Sequence, residues 1–237
     1  EKEALNSSVM LSATVFGHRI RLWVFKRSGP AMNEVLEELR DDHYRLQKMS
    51  SVRQGSMAID VGASVGVVSI LMSKLWPSIR IVALEPAPAN YRYLLWNLKL
   101  NAVAHRVWPF NAALGVTSAA SQVFYYSPTY PTWSQRCDTS EGEPCESVAK
   151  DDTWRGGYVD WQVRFESEVI TLAELVAALR ISDIHFLKVD CEGCEWTVLA
   201  PPSWVRVRHL FHNVAAELHR WALYDSPGPA INAVEAF

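Results

Sequence analysis

"MAIDVGASVGVVSILMSKLW", residues 57–76, is the stretch that decides the fold. Met57 to Val61 make a short apolar run, interrupted by one acid, Asp60, that leads straight into Gly62 and Gly66. Apolar residues resume in "VSILMSKLW" and are stopped by Pro77. A buried-type strand, a glycine turn and a buried helix in that order form the opening unit of an α/β sheet.

Outward from this unit the same alternation recurs. "IRIVALE" (79–85) reads as a strand and "PANYRYLLWNLKLN" (88–101) as a helix, with Pro88 in its first turn. Tyr91, Leu94, Leu95 and Leu98 give that helix an apolar face. "RVWPFNAALG" (106–115) is expected as a single strand with an edge or irregular end at Pro109, and "SQVFYY" as another. "WQVRFESEVI" and "IHFLKVD" are further strands, separated by a helix with Thr171 as N-cap and Glu174 as capping-box partner. Ile170 and Leu175 stand where a hydrophobic staple forms. A short helix is expected from about Glu195, and "NVAAELH" (213–219) is the last strand.

The fold class is therefore α/β, a doubly wound and mostly parallel sheet over 57–219. Before it, "VMLSATVF" and "RIRLWVF" pair through Gly17-His18, and helical spacing extends from Ala31 to Met49. The expected division is an N-terminal strand pair and helix packed on the core (1–56) and a main domain (57–237). An inserted loop at about 127–160, rich in Pro, Ser, Gly, Asp and Trp, interrupts the main domain.

With 49% of its residues apolar, the chain has material for a substantial core. A net charge of −3 offers no reason to expect nucleic acid or an anionic membrane as partner. No apolar run reaches the roughly 20 residues that a membrane span needs. Because the chain opens on Glu1 it reads as an excerpt or processed form; cytoplasm is the favoured compartment, and the oligomeric state is open.

In a doubly wound sheet, ligands bind beyond the carboxyl ends of the strands. The residues there are Asp60 to Gly66, Glu85, Asn111, Asp190 and Glu217 to His219, a rim dominated by acids. A dinucleotide site prefers Gly-x-Gly-x-x-Gly with free amides aimed at a pyrophosphate. "DVGASVG" lacks the middle glycine, and Asp60 would repel a pyrophosphate while accepting hydrogen bonds from an ammonium, directly or through water. S-adenosyl-L-methionine, with an amino acid end, fits better; Glu85 can bind both ribose hydroxyls through its two oxygens.

At this point "IDVGASVG", "VALEPAPANYRYLLWNLKLN", "FNAALG", "TLAEL" and "FLKVDCEGCEW" occur in an order and spacing that resembles the FkbM-type S-adenosylmethionine-dependent methyltransferases, over about residues 57–219. The resemblance implies a Rossmann-like seven-strand fold and O-methylation of a hydroxyl or carboxyl group on a small molecule or sugar. It also implies that Asp60, Gly62, Ala63 and Gly66 hold the methionine end, that Glu85 takes the ribose, and that Asn111 and Ala112 border the adenine. Asp190 would lie beside the methionine and the acceptor. The chain departs from the pattern in its insert and in "INAVEAF", where the usual final strand pair is absent or unrecognisable. A non-catalytic module of the same fold is the alternative.

Methyl transfer to an alcohol is helped by a general base, for which His219 is the first candidate and Asp190 the second. Glu192 reads as an acceptor-binding group or as an acid favoured by the following helix, and the latter suits Glu195 better. Cys191 and Cys194 form a Cys-x-x-Cys that reads as small residues packed around a turn, with a zinc or thiol site as the rival reading; no metal is assigned. Cys137 and Cys145 could close a local disulfide in a secretory protein. Tyr125, Tyr126, Tyr130, Trp133, Trp154 and Trp161 either pin the insert or stack on an acceptor.

Overall fold

A computed structural model describes residues 7–49, 52–126, 134–136, 163–201 and 203–219. Its centre is the unit read first: β3 (Met57–Val61), buried at every position, then α2 (Val67–Leu75). Complete burial follows from cover on both faces. Met57, Ile59 and Val61 enter one apolar cluster while Ala58 enters the other, as period-2 alternation requires.

Around β3 lie β4 (Arg80–Leu84), β5 (Val107–Phe110), β10 (Ile184–Val189) and β11 (Val214–Ala216), in the order β11-β10-β3-β4-β5 with every pairing parallel. From β3 the chain goes to β4 on one side and later returns through β10 on the other, so the switch point lies between β3 and β10. The helix α3 (Pro88–Leu100) follows β4.

The N-terminal hairpin β1 (Ser8–Val15) and β2 (His18–Phe25) turns at Phe16 and Gly17, both at positive φ, which matches the twist of a tight hairpin. With α1 (Gly29–Arg40) it shares the apolar cluster of α2 and α3. Asn97 of α3 fastens it: its side chain accepts from Trp23 N (2.6 Å) and donates to Trp23 O (2.9 Å) and Val65 O (2.9 Å). Helical spacing suggested that α1 continues to Met49, but it stops at Arg40. Asp42 and Arg45 then adopt left-handed φ values, and Leu46 is buried from a short 3-10 turn instead.

The strand expected over 106–115 is two. Between β5 and β6 (Ala112–Gly115) the chain changes sheet at Asn111. Among the described residues β6 belongs to a second sheet, β6-β9-β7-β8, with β7 (Ala119–Tyr126), β8 (Ser134–Arg136) and β9 (Val163–Thr171). Thus β8 falls inside the stretch expected to be an irregular insert; the remainder of 127–160, with Tyr130, Trp133, Cys137, Cys145 and Trp154, lies outside the described residues, as do Trp161 and "INAVEAF". β9 runs directly into α4 (Leu172–Ala178), and the capping box is present: Thr171 Oγ1 accepts from Glu174 N (3.1 Å) and Glu174 Oε2 from Thr171 N (2.8 Å). After β10 come α5 (Glu195–Val198) and α6 (Ser203–Val207). The last strand is three residues, not seven, and Glu217 to His219 follow it. No helix among the described residues is long and apolar enough to cross a membrane.

Candidate active site

At the switch point two segments are pressed together. Gly62 (φ +74) lies so close to the Asp190 carbonyl that a side chain there would overlap it. The amides of Gly62 and Ala63 donate to Leu84 O (3.0 and 2.8 Å), and Gly66 N to Ala63 O (2.8 Å). These amides are turned into the fold rather than toward a ligand, so the loop is no phosphate cradle. Its glycines serve close approach and the left-handed N-cap at Gly66.

Glu85, just past β4, closes the same loop. Oε2 accepts from Ser64 N (2.8 Å), and Oε1 from Ala87 N (2.9 Å) and Asn90 Nδ2 (3.4 Å). Burial raises its carboxyl to about 7, and the two backbone donors work against that rise. Asn111 Nδ2 donates to the carbonyls of Glu85 (2.8 Å) and Pro86 (2.9 Å), and buried Ala112 follows. The residues expected to meet ribose and adenine are therefore brought together, and Asn90 joins them without having been expected.

Asp60 is fully enclosed. Its Oδ2 accepts from Ser69 Oγ of α2 (2.6 Å), and its Oδ1 meets the ammonium of Lys188 at 3.3 Å. Lys188 also lies 3.3 Å from Asp190 Oδ2 and donates to the carbonyls of Gly62 (2.8 Å) and Val61 (3.3 Å). Tyr44 Oη donates to Asp190 Oδ2 (2.9 Å). Burial opposes charge on both Lys188 and Asp190. Their mutual attraction, helped by Asp60 on one side and by His219 and Tyr44 on the other, holds the ammonium above its usual range and the carboxyl below it. Neither Lys188 nor Tyr44 was singled out from the sequence. The signal for Lys188 was there: a charged residue in a mostly apolar central strand needs a buried partner.

The turn from Asp190 into α5 carries the second cluster. Glu192 and Gly193 have positive φ, and Cys191 and Cys194 are joined by a disulfide that closes the turn. With both sulfurs in the disulfide neither is a thiolate for zinc, and the two residues pack around the turn, as expected, but as a linked pair. Glu195, fully buried, accepts from Cys191 N (2.7 Å) and Gly193 N (2.9 Å). It is thus a brace for the turn rather than a surface acid at a helix end. Its Oε1 also lies 3.1 Å from His219 Nδ1, while His219 Nε2 is 3.2 Å from Glu192 and 3.7 Å from Glu217.

Burial alone would lower the His219 imidazole, but Glu195 and Glu192 outweigh it and push it up to about 9. Burial raises Glu192 to about 8, with His219 pulling the other way and Asp190 and Glu195 adding to the rise. Glu217 is raised as well, by burial and by Asp190. The two groups titrate as a pair, each charged form favouring the other: ionised Glu192 supports the imidazolium, and the imidazolium draws Glu192 toward its carboxylate. Asp190, Glu217 and His219 offer atoms within 4.8 Å of one another, the size of a metal site, but Lys188 and His219 already supply cations to these carboxylates.

Carboxylates and an imidazole thus cluster beside a glycine loop, with an acid at the next strand end. The sequence model of the methyltransferase FkbM domain matches residues 60–232. The 31-O-demethyl-FK506 methyltransferase FkbM of Streptomyces tacrolimicus is 26% identical over 196 residues, spanning 77% of this chain and 72% of that protein. Methyltransferase sdnD of Sordaria araneosa is 27% identical over 74% of this chain and 72% of its own length. Among solved structures, M. jannaschii TYW2 in complex with AdoMet aligns over 44% of this chain and 42% of that one, at 20% identity and a TM-score of 0.30, a partial likeness that says nothing of the acceptor.

Proposed function

We propose, from the premise that the chain belongs to the methyltransferase FkbM domain family, that it methylates a hydroxyl group of a small molecule or glycan with S-adenosyl-L-methionine as donor. The observation that carries this reading is the carboxylate–imidazole cluster of Glu192, Glu217 and His219 beside the Gly62–Asp190 contact. The residues present suit a cationic, amino acid-bearing cofactor. Acids surround the crevice, the loop amides point away from any phosphate, and Glu85 with Asn111 forms a polar shelf at the next strand end.

When bound, S-adenosyl-L-methionine supplies a methyl group on a positively charged sulfur, which makes that carbon electrophilic. The protein's share is alignment, exclusion of water and management of one proton. Gly62, Ala63 and Gly66 shape the wall for the methionine end, with Asp60 behind it. Glu85, Asn111 and Ala112 form the nucleoside side. Asp190 and Glu192 accept hydrogen bonds from the acceptor, and His219 Nε2 receives its hydroxyl proton once the imidazole is neutral. Such a crevice takes donor-rich ligands and opposes an acceptor carboxylate, which favours a hydroxyl over a carboxyl target.

The test is transfer of labelled methyl to a fractionated extract, followed by mild alkali. Methyl ethers survive alkali and methyl esters release methanol. The expected result is an alkali-stable labelled product, lost in Glu85→Ala. Label released as methanol would overturn the hydroxyl assignment, and no transfer with no binding of S-adenosylhomocysteine would overturn the enzyme.

A further inference from the structure

Lys188 is the feature the reaction scheme leaves unused. It sits 2% exposed near the carboxyl end of β10, between Leu187 and Val189, and the strand's alternation sets it on the face of Asp190 and opposite Asp60 in β3. Its ammonium has three hydrogens and four oxygens within 3.3 Å: the carbonyls of Val61 and Gly62 and the carboxylates of Asp60 and Asp190. These oxygens belong to the two segments that meet at the switch point, and two of them are on residues placed at the methionine end of the cofactor. A third group, the ring of Tyr44, lies 5.9 Å from Nζ.

We propose that Lys188 is a positioning residue that acts as the internal counter-ion of the cofactor site, tying the Gly62 loop to the Asp190 turn and setting the charge that a cationic ligand meets. This rests on the reading that the crevice takes S-adenosyl-L-methionine. Two carboxylates against one ammonium leave a single negative charge between Asp60 and Asp190. Asp60 is spent on Ser69 and Lys188, so the attraction that reaches a ligand's cationic end comes from Asp190, 23% exposed at its side chain. Without Lys188, Asp60 would be enclosed without a counter-charge, and both the Gly62 carbonyl and Asp190 would lose their shared donor.

S-adenosylmethionine and S-adenosylhomocysteine separate charge from shape, because they differ by the methyl group and by the positive charge on sulfur. The experiment measures both dissociation constants by calorimetry for the wild type, Lys188→Met, Lys188→Arg and Asp60→Asn/Lys188→Met. Lys188→Met adds one uncompensated negative charge, and the preference for S-adenosylmethionine over S-adenosylhomocysteine should rise about tenfold. Lys188→Arg keeps the charge and should keep the wild-type ratio. The double variant restores the net charge and should bring the ratio back while both affinities stay weakened, since the Gly62 carbonyl still lacks its donor.

A Lys188→Met protein in which both ligands weaken equally, or neither changes, overturns the proposal and leaves the cofactor reading intact. Wild-type protein that binds neither ligand overturns that reading and the proposal with it. Should Lys188→Met not fold, the double variant decides; if that also fails to fold, Lys188 is a fold residue and the proposal is wrong.

Discussion

The state of His219 gives the chemistry a pH signature. An imidazole at its usual value near 6.5 is mostly neutral at pH 7.5 and ready to accept a proton. Held at about 9 by Glu195 and Glu192, it is neutral in about one molecule in a hundred at pH 7. If His219 Nε2 takes the acceptor's proton, the rate at saturating cofactor should climb about tenfold per pH unit from 6 to 8 and level off near pH 10, a total of about a hundredfold above its value at pH 7. Glu192, raised to about 8, titrates with it, so the midpoint belongs to the pair. The same protons are linked to stability. Both groups have folded values above their unfolded ones, so their contribution is complete at low pH; Glu192's is lost as pH rises through about 8 and His219's as it rises through about 9. For His219 the shift from 6.5 to about 9 corresponds to about 3 kcal/mol, which is about 6–12 °C of Tm for a chain of this size. Initial rates of labelled methyl transfer and Tm, both from pH 6 to 10.5, check the two halves. A flat rate profile, an apparent pKa near 6.5, or an unchanged profile in His219→Gln would refute the assignment.

Two further outcomes test how the site is built. Gly62→Ala places a methyl group on the Asp190 carbonyl at φ +74; it should cost at least about 1–3 kcal/mol from backbone strain alone and abolish S-adenosylhomocysteine binding, read by urea unfolding and calorimetry. Asn97→Ala leaves Trp23 N, Trp23 O and Val65 O without the side chain that satisfies them. It should destabilise by about 2–4 kcal/mol in urea, because three backbone groups lose their partner, although Asn101 still holds the hairpin at Arg21.

Local and periodic signals carried most of the fold. β3, its glycines and α2 are legible because their pattern is short-range: a buried strand, a required left-handed turn, a helix stopped by proline. Thr171 and Glu174 are legible for the same reason, since a capping box spans only four residues. Signals of the wrong range misled. Periodicity cannot see that Asn111 carries the chain from one sheet into another, so 106–115 looked continuous. Nor can it see that Asp42 and Arg45 break α1 before Leu46, because Leu46 keeps its helical spacing and is buried all the same. In the site, residues at strand ends were found from topology alone. Ser69, Asn90 and Tyr44 were not, because they reach the site's carboxylates from the first turns of two helices and from a loop.

The Cys-x-x-Cys shows why a motif's position outweighs its spacing. In isolation that spacing suits a metal site, whereas here the two sulfurs are bonded to each other across a turn whose backbone is already bent at Glu192 and Gly193 and braced by Glu195. Every one of these constraints acts between Asp190 and the start of α5, and Asp190 in turn is held from below by Lys188 and from the side by Tyr44. A turn tied covalently, electrostatically and by hydrogen bonds presents Glu192 and Glu195 to His219 at set distances; their proximity lifts the imidazole, whereas Glu192 is lifted by its own burial against the pull of His219. Glu195 therefore does two things at once, bracing the turn through Cys191 N and Gly193 N and holding His219 Nδ1 at 3.1 Å, and Glu195→Gln should lower the His219 value directly by removing the carboxylate that raises it most.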